Sequence, residues 1–77
     1  MSAKEMFEEL DGNYFENENR ITIEFYNKNT DDYDYVEFLK DSKDFCINID
    51  NFNFKKYKLD FNLLSQAINQ QVKELGW

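Results

Sequence analysis

The spacing of apolar residues changes twice along the chain. Ala3, Met6, Phe7 and Leu10 fall at i, i+3, i+4 and i+7, one stripe of a helix. Ser2-Ala3-Lys4-Glu5 ahead of them reads as a capping box, with Ser2 accepting from the Glu5 amide and the Glu5 carboxylate reaching back. Gly12 is the natural stop. The pattern predicts a short helix over 3–11 that must pack on something, because a helix of that length is marginal alone.

From residue 14 the period drops to two. Ile21-Thr22-Ile23-Glu24-Phe25-Tyr26 alternates strictly, the mark of a half-buried strand. The turn-rich Asn27–Asp32 stretch follows. Tyr33–Leu39 then predicts a second strand, with Val36 and Phe38 on one face and Tyr35 and Glu37 on the other. Lys40-Asp41-Ser42-Lys43 is a tight polar connection to a third strand over Asp44–Asp50, which puts Phe45, Ile47 and Ile49 together. Tyr14-Phe15 adds a short strand before the turn at Asn17-Glu18-Asn19. Short links between successive strands make an antiparallel meander. In Asn51–Leu59, Lys55, Lys56 and Lys58 interrupt Phe52, Phe54, Tyr57 and Leu59. That stretch is expected to be an irregular edge or loop that tucks two aromatics into the core.

Helical spacing returns at the end. Leu64, Ala67, Ile68, Gln71, Val72 and Leu75 form one face behind Asp60 as N-cap. Gly76 suits a left-handed stop, and Trp77 is placed to fold back on Val72. Helix, three or four strands, helix: the expected fold is a single α+β domain over 1–77, two-layered, its antiparallel sheet carrying both helices on one face.

Composition then narrows the chemistry. The 77 residues contain no His, one Cys, two Gly and no Pro. Imidazole catalysis and His-ligated metals are excluded, as are an internal disulfide, a thiolate zinc site and a glycine-rich phosphate loop. The lone Cys46 fits a reducing cytoplasm. No apolar run approaches the roughly 18 residues of a membrane span, and no basic-then-apolar leader opens the chain. The Asp31, Asp32, Asp34, Asp41 and Asp44 group lacks EF-hand spacing. No metal, cofactor or catalytic residue is therefore expected, and no enzyme.

Two segments, Ala3–Leu10 (AKEMFEEL) and Gln66–Trp77 (QAINQQVKELGW), resemble the opening and close of a group of short phage and prophage proteins from AT-rich Gram-positive bacteria. The bias toward Asn, Lys, Ile, Phe, Tyr and Asp suits such a genome. The chain departs from the group after Leu10, where Asp11 precedes Gly12. The resemblance implies a mobile-element setting in the cytoplasm of a bacterial host. It carries over no activity and no site residues.

Charge points to a candidate surface. The formal net charge is -7, which argues against direct binding to nucleic acid or an anionic membrane. Residues 1–54 hold 14 of the 16 acidic side chains. One reading of this acid is solvation; the other is mimicry of a nucleic acid's charge. If Ile23, Phe25, Val36, Phe38, Phe45 and Ile47 face the helices, then Thr22, Glu24, Tyr26, Tyr35, Glu37, Cys46 and Asn48 face out. Tyrosine beside carboxylate suits an interface with a basic partner, and it also suits ordinary cross-strand pairing on a solvated face. The candidate partner-binding set is Glu24, Tyr26, Asp31, Asp32, Asp34, Tyr35 and Glu37, expected to form one contiguous acidic edge. The functional expectation is a non-enzymatic phage or prophage binding protein. In concrete form it is an acidic inhibitor (anti-CRISPR or anti-restriction) that occupies the basic groove of a host nucleic-acid-handling protein. The alternative is a small structural or assembly protein that dimerises through the same sheet face or an edge strand. The Lys55, Lys56 and Lys58 cluster reads as a solvated edge that deters strand pairing.

Overall fold

Ser2 starts the first helix as its spacing requires. The Ser2 hydroxyl accepts from the Glu5 amide at 3.2 Å, and the Glu5 carboxylate accepts from the Ser2 amide at 3.1 Å. The Ser2 amide, and then the Ser2 hydroxyl beside it, hold the Glu5 carboxyl below the usual carboxylate range. In the computed structural model, which describes residues 1–28, 30–49 and 60–77, this helix is α1, Ala3–Glu9. Four strands follow, β1 (Asn13–Glu16), β2 (Arg20–Asn27), β3 (Asp32–Leu39) and β4 (Asp44–Asn48), and then α2 (Phe61–Glu74). The expectations for 51–59, including the Lys55, Lys56 and Lys58 cluster, lie outside the described residues, as does Asp50.

The strands form one antiparallel sheet in the order β1-β2-β3-β4, the predicted meander. Asn17 sets the first link: its side-chain oxygen accepts from the amides of Asn19 (2.8 Å) and Arg20 (3.0 Å). The next two links each use a non-glycine residue at positive φ, Asp31 (54°) and Lys43 (57°). Alternation along the strands sends Ile21, Ile23, Phe25, Val36 and Phe38 to one face. There they join Ala3 and Phe7 of α1 and Leu64, Ala67 and Ile68 of α2 in a single buried cluster. Both helices therefore cover the same side, and the fold is the expected α+β sheet with N- and C-terminal helices. Glu74 of α2 ties the layer together by accepting from the Ala3 amide at 2.8 Å.

The two helices end in the same motif with different residues. At α2, the Gly76 amide donates to the Lys73 carbonyl and the Trp77 amide to the Val72 carbonyl, each at 3.1 Å, with Gly76 at φ 74°. This is the stop read from the sequence. At α1 the expected extent to residue 11 and the role given to Gly12 are corrected. The helix ends at Glu9, and Asp11, not Gly12, takes the left-handed conformation, at φ 65°. The amides of Asp11 and Gly12 donate to the carbonyls of Glu8 and Phe7, each at 3.0 Å. Gly12 is needed for space instead. A Cβ there would lie 2.7 Å from Ile23 Cγ2 and 2.9 Å from the Phe7 carbonyl oxygen.

On β4, Phe45 and Ile47 point to the helix side as alternation predicts, opposite Phe38 and Val36, and remain 47% and 46% exposed. The helix layer reaches β3, where Trp77 packs on Phe38 at 6.1 Å between ring centroids, and does not bury the edge strand.

One polar contact joins the outer strand to the last helix. The Tyr14 hydroxyl donates to the Gln71 side-chain oxygen at 2.7 Å, and Gln71 is buried. Burial, followed by the charges of Glu16 and Glu74, pushes the Tyr14 phenol up from 10.0 to about 12. A phenol with a raised pKa contributes its stability fully below the unfolded value and loses it as pH rises through the folded one. Wild type should therefore lose melting temperature between pH 10 and 12 more steeply than Tyr14→Phe. Parallel melting curves in that window would show that Tyr14 ionises as freely in the fold as in the unfolded chain.

Candidate interaction face

The sheet face opposite the helices is uncovered among the described residues. Its rows follow from the register. Asn13, Glu24, Tyr35 and Asn48 lie across the four strands in one row, and Phe15, Thr22, Glu37 and Cys46 in the next. Arg20, Leu39 and Asp44 lie beyond the second row, and Tyr26 faces Tyr33 beyond the first. Each position follows from sequence parity: once Ile21, Ile23 and Phe25 bury, Arg20, Thr22, Glu24 and Tyr26 must point the other way.

Aromatic area is concentrated here. Phe15, Tyr26 and Tyr33 are 55%, 46% and 50% exposed. Tyr26 and Tyr33 meet edge-to-face, with centroids 5.6 Å apart at 64°, a geometry favoured by the ring quadrupoles. The Tyr26 hydroxyl also donates to the Asp31 carboxylate, which fixes its ring at the β2–β3 turn.

The two carboxylates of the face differ. Glu37 accepts from the Thr22 hydroxyl at 3.1 Å and pairs with Arg20 at 3.4 Å, so part of its charge is already neutralised. The Glu24 side chain, on the same strand as Tyr26 and opposite Tyr35, makes no hydrogen bond or ion pair among the described residues. It is half-buried between its neighbours. A carboxylate held there without a cation is an acceptor ready for one from outside.

The expected contiguous acidic edge is not formed. Glu24, Tyr26, Tyr35 and Glu37 do share the open face. Asp32 and Asp34 have the parity of Val36 and Phe38, so they fall on the helix side, opposite Asn27 and Phe25. There Asp34 accepts from the buried Asn27 side chain at 3.4 Å, and Asp32 caps the Tyr33 amide at 2.8 Å. Asp31 sits in the turn, against Tyr26. The physical reason is the two-residue period of a strand, which keeps Asp34 off the face of Tyr35. Sequence reasoning left out Tyr33 and Phe15. The parity of Tyr33 with Tyr35 was a usable signal, whereas the placing of Phe15 depended on the β1 register.

A cleft of about 120 Å3 between the helices, lined by Met1, Met6, Glu9, Leu10, Leu63 and Gln66, falls below the roughly 300–1,000 Å3 of small-molecule sites. Among the described residues no group of three or more His, Cys, Asp or Glu is placed to hold a metal ion. Among the described residues no helix is long and apolar enough to cross a membrane. In comparisons with known proteins, no family model, no curated protein and no solved structure matches this chain.

Proposed function

We propose that this chain is a non-enzymatic binding protein that docks the open face of its sheet on a basic surface of another protein. Its concrete form is an inhibitor, of phage or prophage origin, that occupies the groove in which a host protein handles DNA or RNA. The observation that carries the reading is Glu24, a carboxylate that pairs with no cation among the described residues, set among Tyr26, Tyr35 and Tyr33 on a sheet face that no described element covers. Tyrosine supplies contact area at low entropic cost, and the carboxylate selects a cation. A net charge of -7 steers the molecule toward positive surfaces. The division of acid between the two sides of the sheet narrows the recognition to a tyrosine-carboxylate patch rather than a copy of a phosphate backbone.

The test compares two double charge reversals, each adding +4. Glu24→Lys with Glu37→Lys alters the open face, and Glu8→Lys with Glu9→Lys alters exposed positions of α1. The immobilised protein is exposed to host lysate, and bound proteins are challenged with duplex DNA, RNA and salt. The expected result is a partner released by nucleic acid, weakened by salt and bound about tenfold or more weakly by the open-face variant alone. Equal capture by wild type and both variants would remove the open face from the reading.

A further inference from the structure

The chain holds two glycines, and one of them, Gly12, follows an aspartate. Nowhere else does Asp or Asn precede Gly. An Asp-Gly pair is open to attack within the backbone, because glycine has no side chain to shield its amide nitrogen from the preceding carboxyl. The fold sets this pair in the exit from α1, where two features oppose the reaction.

The first is conformation. Asp11 is left-handed, at φ 65°, and ψ in that region is about +47°. The Gly12 nitrogen then lies nearly anti to the Asp11 Cβ across the Cα–C bond. Closing a five-membered ring from the carboxyl to that nitrogen needs the two eclipsed, so the peptide between residues 11 and 12 must turn through about half a revolution. The second is anchorage. The amides of Gly12 and Asp11 donate to the carbonyls of Phe7 and Glu8, each at 3.0 Å. Gly12 is buried so close to Ile23, Phe25 and the Phe7 carbonyl that a Cβ would lie 2.7 to 3.0 Å from each. The peptide has no room to turn in place and turns only when the end of α1 leaves the sheet. That helix is seven residues long, too short to persist without packing. Terminal elements of this kind open at lower free energy than the whole fold.

We propose that Asp11–Gly12 is a latent site of spontaneous isoaspartate formation, closed while α1 is docked and open when the helix leaves the sheet. The chain thereby keeps a covalent record of that opening. The step needs only water. The Gly12 nitrogen attacks the Asp11 Cγ, an N–C bond forms, and the carboxyl hydroxyl leaves with the amide proton as water, giving a succinimide. Water then adds to one of the two ring carbonyls, and the C–N bond at that carbon breaks. Opening at Cγ restores aspartate. Opening at the main-chain carbonyl leaves the backbone running through Cγ, one atom longer between Leu10 and Gly12. The two exit hydrogen bonds and the slot for Gly12 then fall out of step, so α1 docks less well after modification. The site is independent of the open face of the sheet.

The experiment incubates the full chain in heavy-oxygen water near neutral pH and follows label at residue 11 by peptide mass spectrometry. Label entry in the folded protein should be about tenfold or more slower than in urea. Two cap variants locate the opening, since each removes one N-cap and leaves the core intact: Ser2→Ala on α1 and Asp60→Ala on α2. Ser2→Ala should raise the rate about fivefold, the factor a lost cap gives, and Asp60→Ala should raise it far less. Asp11→Asn, which suits the left-handed position, should show the same ordering through loss of ammonia instead of water. The isoaspartyl form, separated by chromatography, should melt below the unmodified chain. Equal rates in the fold and in urea, or no label in either, would overturn the proposal. Equal acceleration by the two cap variants would overturn it as well, because the site would then open only with the whole chain.

Discussion

Phe38→Ala should cost about 3–5 kcal/mol and lower the melting temperature by roughly 15–30 °C. Phe38 is fully buried, and its ring meets three others from three parts of the chain. Phe7 of α1 lies edge-on at 6.4 Å, Phe45 of β4 is stacked at 5.8 Å and Trp77 is tilted at 6.1 Å. Truncation removes the ring that joins the helix layer to the sheet, and the backbone of a central strand cannot move in to fill the space. A 77-residue domain has stability at the lower end of the usual 5–15 kcal/mol, so much of the variant should be unfolded near 37 °C. Phe45→Ala, at a half-exposed edge, should cost far less. Thermal melts followed by circular dichroism check both. A fall of under 5 °C for Phe38→Ala would show that the surrounding rings close over the gap.

Two neighbouring substitutions at the exit from α1 should act in opposite directions. Gly12→Ala should destabilise by about 1–3 kcal/mol, because the new methyl collides with Ile23 and with the Phe7 carbonyl, neither of which is free to give way. Asp11→Gly should stabilise by up to about 1 kcal/mol, because Asp11 occupies a left-handed conformation that glycine adopts without steric cost. Denaturant midpoints for the two variants decide the matter. If Gly12→Ala were neutral and Asp11→Gly destabilising, the glycine would be serving the turn after all and the close approach to Ile23 would be dispensable.

The candidate face was partly legible. Glu24, Tyr26, Tyr35 and Glu37 were placed together by alternation alone, since a strand leaves only two choices for each side chain. Asp34 departs from the expected edge because its parity with Val36, not its nearness in sequence to Asp31 and Asp32, decides its side of the sheet. The partial neutralisation of Glu37 by Arg20 and Thr22 depended on pairing between β2 and β3. The absence of such a partner for Glu24 among the described residues likewise depended on which residues that register brought within reach.

The sequence by itself determined what is local or periodic. The capping box at Ser2 and Glu5, the Asp60 cap and the Gly76-Trp77 stop each involve residues within a few positions of one another, so side-chain chemistry settles them before any tertiary contact forms. Alternation in Ile21–Tyr26 and Tyr33–Leu39 settled two strands and their inner faces in the same way. Only the tertiary structure decided how far the helix layer extends. Whether Phe45 and Ile47 are buried depends on where α1 and α2 come to rest over the sheet, and no spacing within β4 encodes that distance. It also decided that Asp11 rather than Gly12 makes the left-handed turn. The packing of Ile23 and Phe7 against residue 12 leaves no room there for a Cβ, so the glycine was needed one position beyond the place its backbone freedom suggested.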